Sequence, residues 1–82
     1  MKVYTVTKVS SGEVRLEVDA VEVCATKAEA KKVLKRFYKD VLEDVEGYDI
    51  IDKEFGNDTF IVEIDDDYSS QYYGEINVSE IK

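Results

Sequence analysis

Carboxylates are the side chains of this chain that come closest to forming a chemical site. Asp65, Asp66 and Asp67 are consecutive, and clustered oxygen donors of this kind are typical ligands of calcium. An EF-hand loop that began at Asp65 would need a glycine at position 70 and a bidentate glutamate at position 76. The chain has Ser70 and Ile76 there, so the sequence predicts a solvated acidic loop and no metal site.

The sequence contains few other candidate catalytic residues. Cys24 is the single cysteine, and the chain contains no histidine, which removes the usual zinc and haem ligands as well as the commonest general base. No nucleophile elbow or glycine-rich phosphate loop accompanies the carboxylates. A thiol near a helix N-terminus can be activated, but Cys24 ends an apolar segment and is expected to be a small buried hydrophobe. We therefore expect neither an enzyme nor a bound cofactor.

Three tyrosines near the end of the chain are the first candidate binding surface. Tyr68, Tyr72 and Tyr73 lie in and after the last predicted loop, and aromatics presented on loops are typical interface anchors. Packing across the base of a hairpin explains the same residues equally well. Together with the run Asp65 to Asp67, these tyrosines form the candidate surface for an unidentified protein partner.

A basic cluster is the alternative binding surface. Its members are Lys31, Lys32, Lys35, Arg36 and Lys39. They would suit a phosphate backbone or another anion, whereas a solvated helix face neutralised by acids of the same molecule explains the cluster without a ligand. The net charge of −8 repels nucleic acid as a whole, so general binding to DNA or RNA is not expected.

The charge is distributed unevenly along the chain. Lys27 to Lys39 holds six basic residues against one acid, whereas Asp40 to Asp67 holds twelve acids against one base. This acidic region could mimic nucleic-acid phosphate and occupy a basic site on another protein. Acidity for solubility alone is the simpler interpretation.

Length and composition favour one soluble domain covering residues 1–82. The chain is 44% hydrophobic and 37% charged, and no segment approaches the roughly 18 apolar residues that a membrane span requires. The absence of an apolar run at the N-terminus and the single cysteine predict a cytoplasmic protein without membrane contact. So short a chain leaves little room for a deep cavity, which makes a small enzyme or ligand carrier the least favoured function.

One segment, Thr26 to Gly47, has the pattern of a long amphipathic helix. Thr26 is the predicted N-cap, and Glu29 three residues later completes a capping box. Gly47 is placed to end the helix in the left-handed conformation. The residues of the apolar face recur at three- and four-residue steps; they are Ala30, Val33, Leu34, Phe37, Tyr38, Val41 and Val45. The other elements must cover this face.

Two strands are predicted before the helix. Lys2 to Ser10 alternates without showing whether Val3 and Val9 or Tyr4 and Val6 are buried. The apolar residues of the second strand are Val14, Leu16, Val18, Val21 and Val23. The last two are one position out of phase with the first three, and a one-residue slip swaps the faces of a strand. We therefore predict a β-bulge near residues 19 and 20 that keeps both halves facing the helix.

Three strands are predicted after the helix, over Tyr48 to Phe55, Thr59 to Asp65 and Tyr72 to Ile81. The order ββαβββ predicts an α+β fold of two layers. Its sheet would be antiparallel or mixed, with four or five strands and one long helix across one face. Unpaired strand edges leave a homodimer open.

Several segments carry a resemblance to known proteins. They are Val3–Thr7, Thr26–Ala30, Phe60–Asp65, Tyr68 and Ile76–Val78. Together they resemble a group of small uncharacterised ββαβββ proteins of phages and mobile elements of gut bacteria. The resemblance implies a fold and a genomic setting for the chain. Members of that group often have a histidine ahead of the last strand, where this chain has Gln71–Glu75.

A second resemblance is to β-grasp domains such as ubiquitin and the immunoglobulin-binding domains of protein G. The shared feature is a hairpin, a helix and a further hairpin, and residues 25–38 are similar to the helix of the latter domains. The chain ends in Glu80-Ile81-Lys82 without a diglycine, so a ubiquitin-like conjugation role is not implied.

Overall fold

The computed structural model describes residues 1–12, 16–66 and 70–81. The elements are β1 (Lys2–Ser11), β2 (Leu16–Cys24), α1 (Lys27–Asp44), β3 (Asp49–Phe55), β4 (Thr59–Asp65) and β5 (Gln71–Glu80). The five strands form one antiparallel sheet in the order β2-β1-β5-β4-β3, and α1 packs across β2, β1, β5 and β4 on one side of it. The predicted α+β fold of ββαβββ order is confirmed.

The helix begins and ends at the signals that the sequence contains. The side-chain oxygen of Thr26 accepts a hydrogen bond from the backbone N–H of Glu29 at 3.2 Å, which satisfies one of the free donors of the first turn. At the other end, Val45 is the C-cap and Gly47 has a φ of 96°. Glycine adopts this left-handed conformation without the steric cost of a Cβ atom, so the chain can turn into β3.

The hydrophobic core lies between the predicted apolar face of α1 and the sheet. Its buried residues are Ala30, Val33, Leu34, Phe37, Val41 and Val45 from the helical segment, and Val6, Cys24, Phe60, Val62 and Ile64 from the strands. Tyr38 is half-buried, and its ring lies 4.9 Å from that of Phe55 and 5.4 Å from that of Phe60, measured between centroids. Each fully buried aliphatic or aromatic side chain stabilises the fold by about 1.5 to 3 kcal/mol.

A glycine allows the closest approach between an aromatic ring and the sheet. Gly74 pairs with Phe60 across β5 and β4, and a Cβ atom added at Gly74 would lie 2.0 Å from the ring of Phe60. The ring therefore covers the glycine backbone. This contact fills the core at a position where any larger residue would collide with Phe60.

The pairing of β1 settles which face of the sheet is buried. Val6 is fully buried, and alternate residues Tyr4 and Lys8 share its face, with the Lys8 Nζ atom 5.7 Å from the centroid of the Phe37 ring. Val3 and Val9 therefore point away from the helix. We call this second side of the sheet the open face.

The structure corrects the predicted orientation of β2. A register shift places Lys8 opposite Ala20 but Val9 opposite Val18, so Asp19 is the extra residue of a bulge where one was expected. The bulge does put both halves of the strand on one face, but that face is the open one. Cys24 precedes the helix and must be buried with the residues on its own face, so alternation turns Val21 and Val23 outward. Val14 lies outside the described residues.

Candidate protein interface

The open face carries a row of exposed apolar side chains along β2. We call this row, formed by Leu16, Val18, Val21 and Val23, the apolar strip. Its members are 73%, 63%, 57% and 64% exposed, in that order. Val9 and Val3, half-buried, extend it onto β1. Isolated exposed apolar residues are ordinary, but a contiguous row at the edge of a sheet makes this face a candidate binding surface.

The open face is acidic at its other edge, along β3 and β4. Strand pairing and alternation place five carboxylates there: Asp49, Asp52 and Glu54 on β3, and Glu63 and Asp65 on β4. We call these five residues the acidic strip. Among the residues that the structure describes, this face carries no lysine or arginine. The open face is therefore apolar along one edge and negative along the other.

A concavity of about 640 Å³ lies between the two strips. Its lining on the open face comes from Thr7, Val9, Glu54, Thr59, Ile61, Tyr73 and Glu75. Apolar contacts, an aromatic ring and two carboxylates thus meet at the centre of the sheet. Its volume falls within the range of small-molecule pockets, roughly 300 to 1,000 Å³, although it is an open depression and not an enclosed chamber.

Two hydrogen bonds along β5 orient side chains in this concavity. The Tyr73 hydroxyl donates to the Gln71 side chain, and the Asn77 amide donates to a carboxylate oxygen of Glu75 at 2.9 Å. Each pair joins residues two positions apart, which therefore share the open face. These contacts restrict the rotamers of the phenol ring and the carboxylate, and fewer rotamers to lose would reduce the entropic cost of binding a ligand there.

The structure separates the tyrosines that the sequence groups together. Tyr73 is exposed on the open face, in the concavity. Tyr72 is half-buried on the helix side and packs against the core, and burial raises the pKa of its hydroxyl, with a further contribution from Asp66. Tyr68 lies outside the described residues. Of the candidate tyrosines whose positions are described, Tyr73 is the one available to a partner on the open face.

The candidate aspartates are also divided. Asp65 is exposed at the end of β4, in the acidic strip. Asp66 is half-buried, and its carboxylate accepts hydrogen bonds from the Ser70 backbone N–H at 2.9 Å and from the Ser70 hydroxyl at 2.7 Å. This carboxylate therefore fixes the position of Ser70 just ahead of β5. Asp67 lies outside the described residues.

The basic cluster lies on the exposed side of α1, away from the sheet. Lys31, Lys32, Lys35 and Lys39 are exposed there. Arg36 differs, because its guanidinium pairs with the carboxylate of Glu22 on β2 and lies 5.5 Å from the centroid of the Phe37 ring. One of the five candidate anion ligands is thus already held by an acid of the same molecule.

Cys24 is buried, as the sequence predicts. Its side chain is 6% exposed, and its pKa is raised, mainly by burial and also by the nearby carboxylates of Glu22 and Glu29. Because the thiolate is the reactive form of cysteine, a raised pKa keeps this thiol unreactive at neutral pH. The structure therefore gives Cys24 a packing role.

The apolar strip is the part of the candidate interface that the sequence pattern assigned to the wrong side of the sheet. The out-of-phase valines of β2 did predict the bulge, but alternation alone does not say which set of residues meets the helix. A usable signal was the buried cysteine at the end of the strand, since its phase fixes that of Val21 and Val23.

Comparisons of the chain with protein-family models, with curated proteins and with solved structures find no match. Within residues 1–12, 16–66 and 70–81, no helix is long and apolar enough to cross a membrane.

Proposed function

We propose that this protein is a non-catalytic interaction module that holds another protein on the open face of its sheet. The observation that supports the proposal is the apolar strip, four aliphatic side chains more than half exposed on a face that no other described element covers. Covering such side chains removes apolar surface from water, which favours association.

The polar part of the open face supplies specificity. The acidic strip attracts basic partners from a distance and repels acidic ones, so it raises the association rate of suitable partners. Tyr73 stands between the two strips, and its ring can contact apolar atoms while its hydroxyl stays hydrated. This combination of a central aromatic, an apolar flank and a charged flank is typical of protein interfaces.

The same geometry favours binding over catalysis. The carboxylates of Glu54 and Glu75 line the concavity, but no described nucleophile lies there with a base oriented to activate it. Cys24, the obvious nucleophile of the chain, is buried on the other side of the sheet. The other polar side chains in its lining are the hydroxyls of Thr7, Thr59 and Tyr73.

The cellular setting is part of the same proposal. We place the protein in the cytoplasm and in the class of phage or mobile-element accessory proteins, in keeping with the sequence resemblance described above. The role we assign to it in that setting is to bind another protein. The open face gives this chain a surface suited to such a role.

Affinity capture from the cells that express the protein tests the proposal. The tagged chain is compared with a Val21→Thr, Val23→Thr variant, which shortens no side chain but removes apolar character from the open face. A Lys32→Glu, Lys35→Glu variant on the exposed side of α1 is the control. We expect a partner that is captured at low salt, is lost with the valine variant and is retained by the control.

Salt dependence separates this partner from background. Charge-assisted binding should weaken sharply as ionic strength rises from about 0.05 to 0.3 M, because the Debye length falls well below the width of the open face. Equal capture by an unrelated acidic domain, or capture that both variants retain, would show that the open face is not the binding surface.

A further inference from the structure

The open face has a one-dimensional pattern that restricts the shape of its partner. The apolar and acidic strips run along the strands, on opposite sides of the concavity. With strands about 4.8 Å apart, the axes of the outermost strands are roughly 19 Å from each other. Residues 16–23 of the apolar strip extend roughly 20 Å along β2. The surface to be covered is therefore an elongated band with two chemically different sides.

An α-helix fits such a band. A helix is about 10 Å wide with its side chains and packs with one stripe against a surface. The other side of this sheet already shows the arrangement, because the 18-residue helix α1 packs across β2, β1, β5 and β4. A strand from a partner would instead add to an edge of the sheet by backbone pairing and leave the open face uncovered.

Charge decides which helix fits. All charged residues described on the open face are acidic: Asp49, Asp52, Glu54, Glu63, Asp65 and Glu75. None of them is among the ion pairs Lys27–Asp58 and Arg36–Glu22 that link described residues. A helix with lysine or arginine on one flank of its apolar stripe would neutralise these carboxylates while the stripe covers the apolar strip.

The concavity provides a place for one of those cationic side chains. Glu54 and Glu75 supply carboxylates in its lining, and the Tyr73 ring supplies an aromatic surface. A cation near the face of a tyrosine ring is attracted by the electron density of the ring, and more so where water is excluded. Val9 and Ile61 give the aliphatic stem of a lysine or arginine an apolar wall.

A second copy of this chain is a poorer occupant. In a symmetric face-to-face pair, a two-fold axis across the strands would place acidic strip against acidic strip, in a protein whose net charge is −8, and an axis along the strands would place acidic strip against apolar strip. The exposed side of α1 does offer cations, but its residues Lys31, Lys32, Lys35 and Lys39 include no apolar stripe for the valines. Self-association would therefore not cover the apolar strip and neutralise the acidic strip at the same time.

We infer that the partner segment held by the open face is a basic amphipathic α-helix, lying along the strands with its apolar stripe on the apolar strip and its cationic flank over the acidic strip. This inference rests on the proposed function and specifies the chemistry of the partner. It completes a three-layer arrangement in which the sheet lies between α1 and the helix of the partner.

Titration of the full chain with a designed peptide tests the inference. The peptide has about 18 residues, roughly 27 Å when helical, with leucines in one stripe and lysines along one flank. One control peptide has the same composition in scrambled order, and another has glutamate in place of lysine. Amide chemical shifts of the labelled protein report where each peptide binds.

We expect the leucine–lysine peptide to shift the amides of Val21, Val23, Tyr73 and Glu75 and to leave that of Lys35 unchanged. A Glu54→Gln, Glu75→Gln variant should weaken binding by about fivefold, since each removed charge costs a fraction of a decade in affinity. The matched control is Asp40→Asn with Glu43→Gln, which changes the net charge equally on the exposed side of α1. It should weaken binding by less than about twofold.

Three results would overturn the inference. Equal binding of the scrambled peptide would mean that charge alone is recognised, and equal binding of the glutamate peptide would mean that the acidic strip is not used. A dimer in sedimentation that the Val21→Thr, Val23→Thr variant abolishes would identify a second copy as the occupant.

The outcomes also separate this inference from the function on which it rests. If the designed peptide does not bind but the captured partner contacts the valines through another structure, the helix inference fails and the proposed function stands. If neither a partner nor a peptide nor a second copy binds the open face, both fail.

Discussion

The two faces of this sheet are made by alternate residues of the same strands, yet they differ sharply in solvent exposure. On the helix side, Val6 and Val62 are fully buried. On the open face, Val21 and Val23 are more than half exposed, although they belong to the same residue type. The difference arises from what covers each face. It teaches that an apolar row on a strand identifies a surface that needs a cover, which is not always the core.

The comparison is sharpest on β2, whose less apolar side faces the helix. Ala20, Glu22 and Cys24 point towards α1, and Glu22 meets Arg36 there. Small side chains let the helix approach an edge strand closely, and a charged one satisfies its arginine. The larger aliphatic residues of the strand remain for the open face.

The largest difference between the faces should appear when a core side chain is shortened. Phe37→Ala removes a ring that is 5% exposed and leaves a cavity under the helix, which should cost about 3 to 5 kcal/mol in the free energy of unfolding. Urea denaturation followed by circular dichroism measures it. An unchanged midpoint would mean that the helix side is packed no better than the open face.

A smaller loss in the free energy of unfolding is expected when a residue that faces the helix is made larger. Gly74→Ala places a methyl group within 2.0 Å of the Phe60 ring, and such overpacking typically costs about 1 to 3 kcal/mol. Gly56→Ala is the matched control, because its nearest neighbour would be 3.5 Å away. Similar midpoints for the two variants would contradict the close contact between Phe60 and the sheet.

Alkaline pH should lower the free energy of unfolding through one buried and one half-buried titratable group on the helix side. Burial raises the pKa of Cys24 above its ordinary value of 9.0, and that of Tyr38 above 10.0. Both groups are neutral in the folded and unfolded states at pH 7. As pH rises past these ordinary values, the unfolded chain loses protons first, so the free energy of unfolding decreases until the folded groups also ionise.

Urea midpoints at pH 7 and pH 10 measure this effect. The Cys24→Ala variant should show a smaller decrease than the parent, because one of the groups responsible is absent. A midpoint of the parent that rises between pH 7 and pH 10 would contradict this prediction.

The smallest effect should come from the open face itself. Val21→Thr with Val23→Thr keeps two β-branched residues in β2, and both positions are solvent-exposed, so the free energy of unfolding should change by no more than about 0.5 kcal/mol. Partner binding should nevertheless be lost. A loss of stability comparable to that of Gly74→Ala would show that these valines are covered within the protein.

The fold was largely readable from the sequence because its signals are local. Thr26, Gly47 and the apolar spacing between them define the helix, and alternation identifies Phe60, Val62 and Ile64 as the buried side of β4. The order of strands was not readable, since β5 lies between β1 and β4 through pairings of residues distant in sequence, such as Val6 with Ile76. Pairings between residues distant in sequence cannot be recognised from a local sequence pattern.

The candidate surface was readable only in part, for the same reason. Acidity was visible in the composition, and the tyrosines were candidates for either an exposed or a packed position. The sequence could not assign Tyr72 to the core and Tyr73 to the open face, because that assignment depends on strand pairing. The apolar strip, the concavity and the acidic strip lie side by side only because of the order of the five antiparallel strands. It is a property of the assembled sheet.

The bulge at Asp19 has a consequence for the free edge of the sheet. Without that residue, Leu16, Val18, Val21 and Val23 would still alternate on one side, so the extra position is not needed to form the row. What it interrupts is the regular ladder of backbone donors and acceptors along β2, which an incoming chain would otherwise use as a template. Deleting Asp19 should therefore leave recognition intact while promoting edge-to-edge polymerisation, and the irregularity acts as a safeguard against cross-β assembly.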